Sequence, residues 1–126
     1  MANEISFTIN IALRNGTLTD SFTNNSTSVN QTTQQLDKAV EVVGFGAAQS
    51  LNVLSVVMAS PGFAVFRNLD TVNFITIGLK PSGTYIPMIR LLAGESCMFR
   101  LDNSVGTIWA KADTAPINLY YSIYAL

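Results

Sequence analysis

The chain contains no histidine. That removes the commonest general base, the commonest metal ligand and any Ser-His or Cys-His nucleophile. There is a single cysteine, Cys97. An intrachain disulfide is therefore impossible, and a zinc cluster cannot be built from familiar ligands. Cys97 lies in the run Cys97-Met98-Phe99, where a thiol reads as a small buried hydrophobe. Charge is scarce as well. Charged residues make up 12% of the chain, against roughly 25% in ordinary globular domains. The net charge is −1, from 7 Lys+Arg and 8 Asp+Glu, and no run of one sign occurs. Nothing pulls the chain electrostatically toward nucleic acid or an anionic membrane. No apolar run approaches the ~18 residues of a membrane helix. Met1-Ala2-Asn3-Glu4-Ile5 lacks the basic-then-apolar pattern of a secretory signal. The expectation is a protein made in a cytosol, with no nucleic-acid or membrane partner.

The remaining chemistry is thin. The carboxylates are Glu4, Asp20, Asp37, Glu41, Asp70, Glu95, Asp102 and Asp113. A glycosidase needs two of them facing each other across a sugar. Turn formation accounts for Asp70, Asp102 and Asp113 without catalysis, and most of the others fall at termini or on strand faces expected to be exposed. Gly44-Phe45-Gly46 is a lone GxG with no GxxG helix start behind it, too little for a phosphate loop. Asp102-Asn103-Ser104 suits an Asx turn better than a calcium loop. The reading is a chain without catalytic residues, metal or cofactor.

What the chain does have is strands and turns. Hydrophobic residues make up 48%. Ile5, Phe7, Ile9, Ile11 and Leu13 alternate with polar or small residues, the period of a half-buried strand. Arg14-Asn15-Gly16 follows as a hairpin turn, with the return strand through Thr17–Thr23. Residues 24–35 read NNSTSVNQTTQQ, a polar stretch expected as a loop, an extended edge or an arm against a neighbouring subunit. Leu36–Val43 is a strand broken by Gly44-Phe45-Gly46. Residues 47–54 are ambiguous, with Val53, Val56 and Val57 favouring strand. Ser60-Pro61-Gly62 reads as a turn. Phe63–Leu69 and Asn73–Leu79 read as a hairpin around Asp70-Thr71. Tyr85–Leu92 follows, with Pro87 marking an edge or a strand start. Ser96–Leu101, Val105–Ala112 and Ile117–Leu126 complete the series. In the last, Ile117, Leu119, Tyr121 and Ile123 share one face.

About nine short strands with turn residues between them predict a single all-β domain over 1–126, an antiparallel sandwich with jelly-roll order as one form. Arg67, Arg90 and Arg100 interrupt apolar strands. If buried, each needs a carboxylate, and Asp70, Asp102 and Asp113 are the candidates, within the fold or across a subunit contact. Trp109, Tyr120, Tyr121 and Tyr124 gather near the C-terminus, as aromatics with polar tips do at a core edge or an interface. Low charge and a high apolar fraction suggest surface hidden against partner chains. The candidate interface residues are therefore Arg67, Arg90, Arg100, Trp109, Tyr120 and Tyr124.

In the second half, FRNLDTVNFITIG (Phe66 to Gly78), IRLLAGE (Ile89 to Glu95), FRL (Phe99 to Leu101) and IWAKADTAPINLYYSIYAL (Ile108 to Leu126) fall in one order. They resemble a loose group of small virion proteins of tailed bacteriophages. In that group an RNLD-x-x-N hairpin precedes an L-x-x-G-E strand, and an A-D/N-T-A turn leads into a hydrophobic last strand. The resemblance covers about half the chain, and the first half departs from it. It implies a compact β domain assembled in many copies on the virion, without catalysis. The partners it implies are the chain itself, as a homo-oligomer such as a trimer, and other virion proteins such as the major capsid protein. A decoration or cement-type subunit is the leading expectation. A tail or receptor-facing module that binds glycans is the alternative.

Overall fold

The computed structural model describes residues 4–31, 36–52, 61–102 and 106–125. Val53, Val56, Val57, Ser60, Asn103, Ser104, Val105 and Leu126, named in the strand and turn expectations above, lie outside them, as do residues 32–35. The strands are β1 (Ile5–Asn15), β2 (Leu18–Val29), β3 (Leu36–Val43), β4 (Gln49–Ser50), β5 (Pro61–Asn68), β6 (Ile75–Leu79), β7 (Ile86–Leu91), β8 (Ser96–Arg100), β9 (Trp109–Ala112) and β10 (Ile117–Ala125). A 3-10 turn at Pro81–Gly83 precedes β7. The chain divides into two compact units, Met1–Thr32 and Thr33–Leu126.

The first unit is an antiparallel ribbon of β1 and β2. Its turn residues are Gly16 and Thr17, and Gly16 has φ 59°. A positive φ at the first central position suits glycine and matches the twist of the strands. The turn thus sits one residue later than the Asn15-Gly16 pair suggests. Asn24–Val29 belong to β2, so this part of the polar stretch is extended strand rather than loop. A bulge on β2 opposes Thr8, where the register steps from Phe7↔Thr27 to Ile9↔Asn24. The Asn24 amide bridges it by donating to the Thr27 hydroxyl at 3.0 Å. At the open end, Gln31 N–H donates to the Glu4 carboxylate at 3.0 Å.

The second unit is an antiparallel sandwich. One sheet runs β3-β10-β5-β8 and the other β4-β9-β6-β7. The pairs β3·β10, β4·β9, β5·β8 and β6·β7 nest inside one another. This is a long hairpin rolled over so that β10 also meets β5, and β9 also meets β6. That is jelly-roll order. The expected hairpin of Phe63–Leu69 with Asn73–Leu79 does not form, because β5 and β6 lie in different sheets. Pro61 and Gly62 begin β5 instead of turning the chain.

Alternation decides which side of each strand meets the core. Leu119, Tyr121 and Ile123 of β10 point inward with Ala64 and Phe66 of β5, and Ile75, Ile77, Ala110 and Ala112 meet them from the other sheet. Phe66 stacks on Phe99 with ring centroids 5.5 Å apart and tilts against Tyr121 at 6.1 Å. Each such aromatic pair adds about 1 kcal/mol beyond its area. Cys97 packs partly buried against this cluster, and burial pushes its thiol pKa up.

The RNLD, LLAGE and ADTA segments meet at one corner. Asn68 is fully buried at the end of β5. Its amide donates to the carbonyls of Asn73 at 2.9 Å and Leu91 at 3.1 Å, and its side-chain oxygen accepts Asp70 N–H at 2.9 Å. Its backbone exchanges hydrogen bonds with Gly94 and Glu95. The Asp70 carboxylate accepts Val72 N–H and Asn73 N–H, and these bonds lower its pKa. The Thr114 hydroxyl donates to the Asn73 side chain at 3.1 Å. RNLD, LLAGE and ADTA are thus the pieces that carry the chain from one sheet to the other.

Candidate interaction surface

Strand alternation turns a second set of side chains outward from the β3-β10-β5-β8 sheet. On β3 these are Leu36, Lys38, Val40 and Val42. The register sets Tyr120 between Val40 and Arg67, and Tyr124 between Leu36 and Phe63. Arg100 lies over the Phe63 ring at 5.6 Å. Arg67, Arg100, Tyr120 and Tyr124 therefore share one face. Arg90 and Trp109 do not. They occupy the outward face of the other sheet, where Arg90 covers Phe74 at 4.2 Å and Lys80 covers Trp109 at 4.5 Å.

Arg67, Arg90 and Arg100 are exposed. Their guanidinium groups stay in water, and no buried ion pair with Asp70 is needed, since backbone N–H groups engage that carboxylate. An arginine that lays its stem and plane over a ring can interrupt an apolar strand without being buried. Sequence alone does not separate that arrangement from a buried pair. The Tyr residues also divide by parity. Tyr120 and Tyr124 face outward, while Tyr121 is buried in the core.

The edge strand β3 adds an exposed row that the candidate residues do not include. Val40 is 58% exposed and Val42 61%, with Leu36 also exposed. A bare β-branched row on an edge strand is unusual in a monomer, because it invites pairing with another chain. Leu36, Val40 and Val42 recurring on one parity, with Lys38 between them, were the available signal, but Ala39, Glu41 and Val43 carry the inward set. Glu41 is part-buried and points toward β4. Next to Lys38, the Ser122 hydroxyl is buried and has no hydrogen-bond partner among the described residues.

The ribbon of the first unit has a similar face. The register groups Ile9, Ile11 and Leu13 of β1 with Leu18, Asp20 and Phe22 of β2. Ile11, Leu18 and Phe22 are each more than half exposed. Thr8, Asn10, Ala12, Arg14, Thr19, Ser21 and Thr23 form the polar side, where Thr23 donates to the Asn10 side chain at 3.3 Å. The sequence pattern of β1 correctly marks one apolar face, yet from Ile9 onward that face is open.

Between the sheets, near the edge strands β7 and β8, a recess of about 540 Å³ is lined by Ile77, Leu79, Met88, Phe99, Leu101 and Ile108 among others. Its walls are mostly aliphatic and aromatic, with Arg100 and Asp102 the charged residues on them, and a lining this apolar offers little to orient a polar substrate. Among the described residues no cluster of three or more His, Cys, Asp or Glu side chains is placed to hold a metal ion. No helix of the described residues is long and apolar enough to cross a membrane. No protein-family model matches the chain, and no curated protein matches it in sequence.

Proposed function

We propose that this protein is a virion structural subunit of a tailed phage, of the capsid-decorating or cement type. It would work by packing against copies of itself and against other virion proteins such as the major capsid protein. The observation that carries this reading is the exposed aliphatic row of β3, continued by half-buried Tyr120 and Tyr124 across the β3-β10-β5-β8 sheet, on a jelly-roll frame. Jelly rolls recur in capsid and lectin domains, but a frame hosts many functions and only the surface argues for one of them. This surface offers apolar rows, outward tyrosines and exposed arginines, the composition of contact patches. The low charge of the chain removes the repulsion that would oppose dense packing of identical copies.

The test is the copy number of this chain in purified particles by quantitative mass spectrometry, joined to binding of the purified protein to assembled capsids. Hundreds of copies and saturable capsid binding are expected. A chain absent from particles, or one that sediments as a monomer and ignores capsids, overturns the reading. A handful of copies would move it to the tail or connector. The glycan-binding alternative draws less support, because Tyr121 is in the core and the Trp109 ring is already covered by Lys80.

A further inference from the structure

We propose that the β1–β2 ribbon is an arm that clasps a second copy of this chain, laying its apolar face on the outward row of that copy's β3 with Asp20 opposite Lys38. The inference rests on the self-association proposed above and names its surface.

The first argument is incompleteness. A lone two-stranded ribbon is at best marginally stable in water. This one spends its aliphatic and aromatic side chains on a face left open, with Leu18 60% exposed and Phe22 53% exposed. The second is a matching surface on the same chain, the exposed Leu36, Val40 and Val42 of edge strand β3.

The third argument is charge and register. The outward row of β2 reads Leu18, Asp20, Phe22. The outward row of β3 reads Leu36, Lys38, Val40. Each is apolar, charged, apolar at every second residue, a step of about 6.6–6.8 Å. Laid on one another in either direction, the rows put aliphatic or aromatic groups in contact on both sides of one Asp–Lys pair. A slip of one step sets Asp20 against an aliphatic side chain and strands both charges, so the pair selects the register. Among the described residues neither the Asp20 carboxylate nor the Lys38 ammonium has an ionic or hydrogen-bonding partner. A foreign partner would have to supply this same row, whereas every copy of this chain already presents it. Because arm and row are different surfaces, each copy gives one contact and receives one, the arrangement that closes rings.

The test is sedimentation velocity of the full chain across a concentration series. The variants are Asp20→Lys, Lys38→Asp and the two combined. The wild type is expected to associate. Each single variant sets like charges in the seam and should weaken association by at least about tenfold. The combined variant should restore it, and so should an equimolar mixture of the singles. Val40→Thr, which keeps a β-branched side chain, should also weaken association without altering charge. Unchanged circular dichroism and Trp109 fluorescence show that each variant is folded. If the wild type associates but the single variants match it, or the combination fails to recover, the arm is overturned and self-association survives through another face. A wild type that stays monomeric throughout overturns the arm and the self-association beneath it together.

Discussion

The Tyr121 hydroxyl donates to the Glu41 carboxylate across 2.6 Å, from the middle of the core to the edge strand β3. The same carboxylate accepts Gln49 Nε2 at 3.3 Å and Asn52 N–H at 3.2 Å. One acidic side chain therefore ties β10 and β3 to the start of the opposite sheet. Tyr121→Phe keeps the ring and deletes the donor. A hydrogen bond to a charged group contributes about 1.5–3 kcal/mol, so a loss of about 2 kcal/mol is expected in urea unfolding. A loss under about 0.5 kcal/mol would mean that Gln49 and Asn52 satisfy the carboxylate without the tyrosine.

Asn68 is the most demanding polar residue of the sandwich. Replacement by alanine orphans the Asn73 and Leu91 carbonyls and the Asp70 N–H at once. Each buried unsatisfied group costs about 1–3 kcal/mol, so Asn68→Ala should lose about 3 kcal/mol or more. Thermal unfolding of the full chain measures it. Asn68→Asp should fail similarly, since a carboxylate cannot donate to the two carbonyls.

Gly78 has no room for a side chain. A Cβ built there would lie 2.0 Å from the Ile86 carbonyl oxygen, because a register shift between Ile77 and Gly78 draws β7 close at that point. Gly78→Ala should cost at least about 3 kcal/mol, the upper part of the usual overpacking range. Gly46→Ala is the control. A Cβ at Gly46 meets nothing within 4 Å, and its unfolding midpoint should hold.

The Ser122 hydroxyl lacks a partner although its residue is only 1% exposed. Removing a buried polar group that has no hydrogen bond relieves its desolvation cost. Ser122→Ala is expected to stabilise the sandwich by up to about 1 kcal/mol, read as a higher urea midpoint. Clear destabilisation would mean that the hydroxyl packs or bonds in a way the deletion exposes.

Backbone N–H groups hold the carboxyls of Glu4 and Asp70 below their ordinary values of 4.5 and 3.8. A carboxyl lowered on folding adds stability that is complete above its unfolded pKa and fades as pH falls through its folded one. The corner therefore weakens on the acid side, below about pH 4. Asp70→Asn should lower the urea midpoint at pH 7, and the gap to the wild type should shrink as the buffer is taken to pH 3. A constant gap would assign the effect to shape rather than charge.

Much of the strand pattern was legible in the residues, and the reason is local. The bounds of β3, the inward parity of Leu119, Tyr121 and Ile123, and the turns at Asp70 and Gly94 follow from alternation and φ preferences within a few positions. Pairing is not local. Phe63–Leu69 and Asn73–Leu79 read as hairpin partners because a short turn separates them. They lie in different sheets, and Asn68 at the corner between them bonds to Leu91 and Glu95, beyond any short window. The candidate surface was half legible for a similar reason. Arg67, Arg100, Tyr120 and Tyr124 share a face only because β8, β5 and β10 are neighbours. Arg90 and Trp109, alike in type, fall on the other side. The bare row on β3 needed the sheet order to reveal that this strand lies at an edge.

The position of β10 has a consequence for biogenesis. It is the last strand in the described order, yet it sits between β3 and β5 in the middle of its sheet. A nascent chain emerging from the ribosome cannot complete that sheet while β10 is still in the exit tunnel, so β3 and β5 wait side by side without their shared neighbour. Folding of this body is then dominated by distant pairings, which are slow to find. During that interval the unpaired strands are the stage most open to chaperone capture or to premature association.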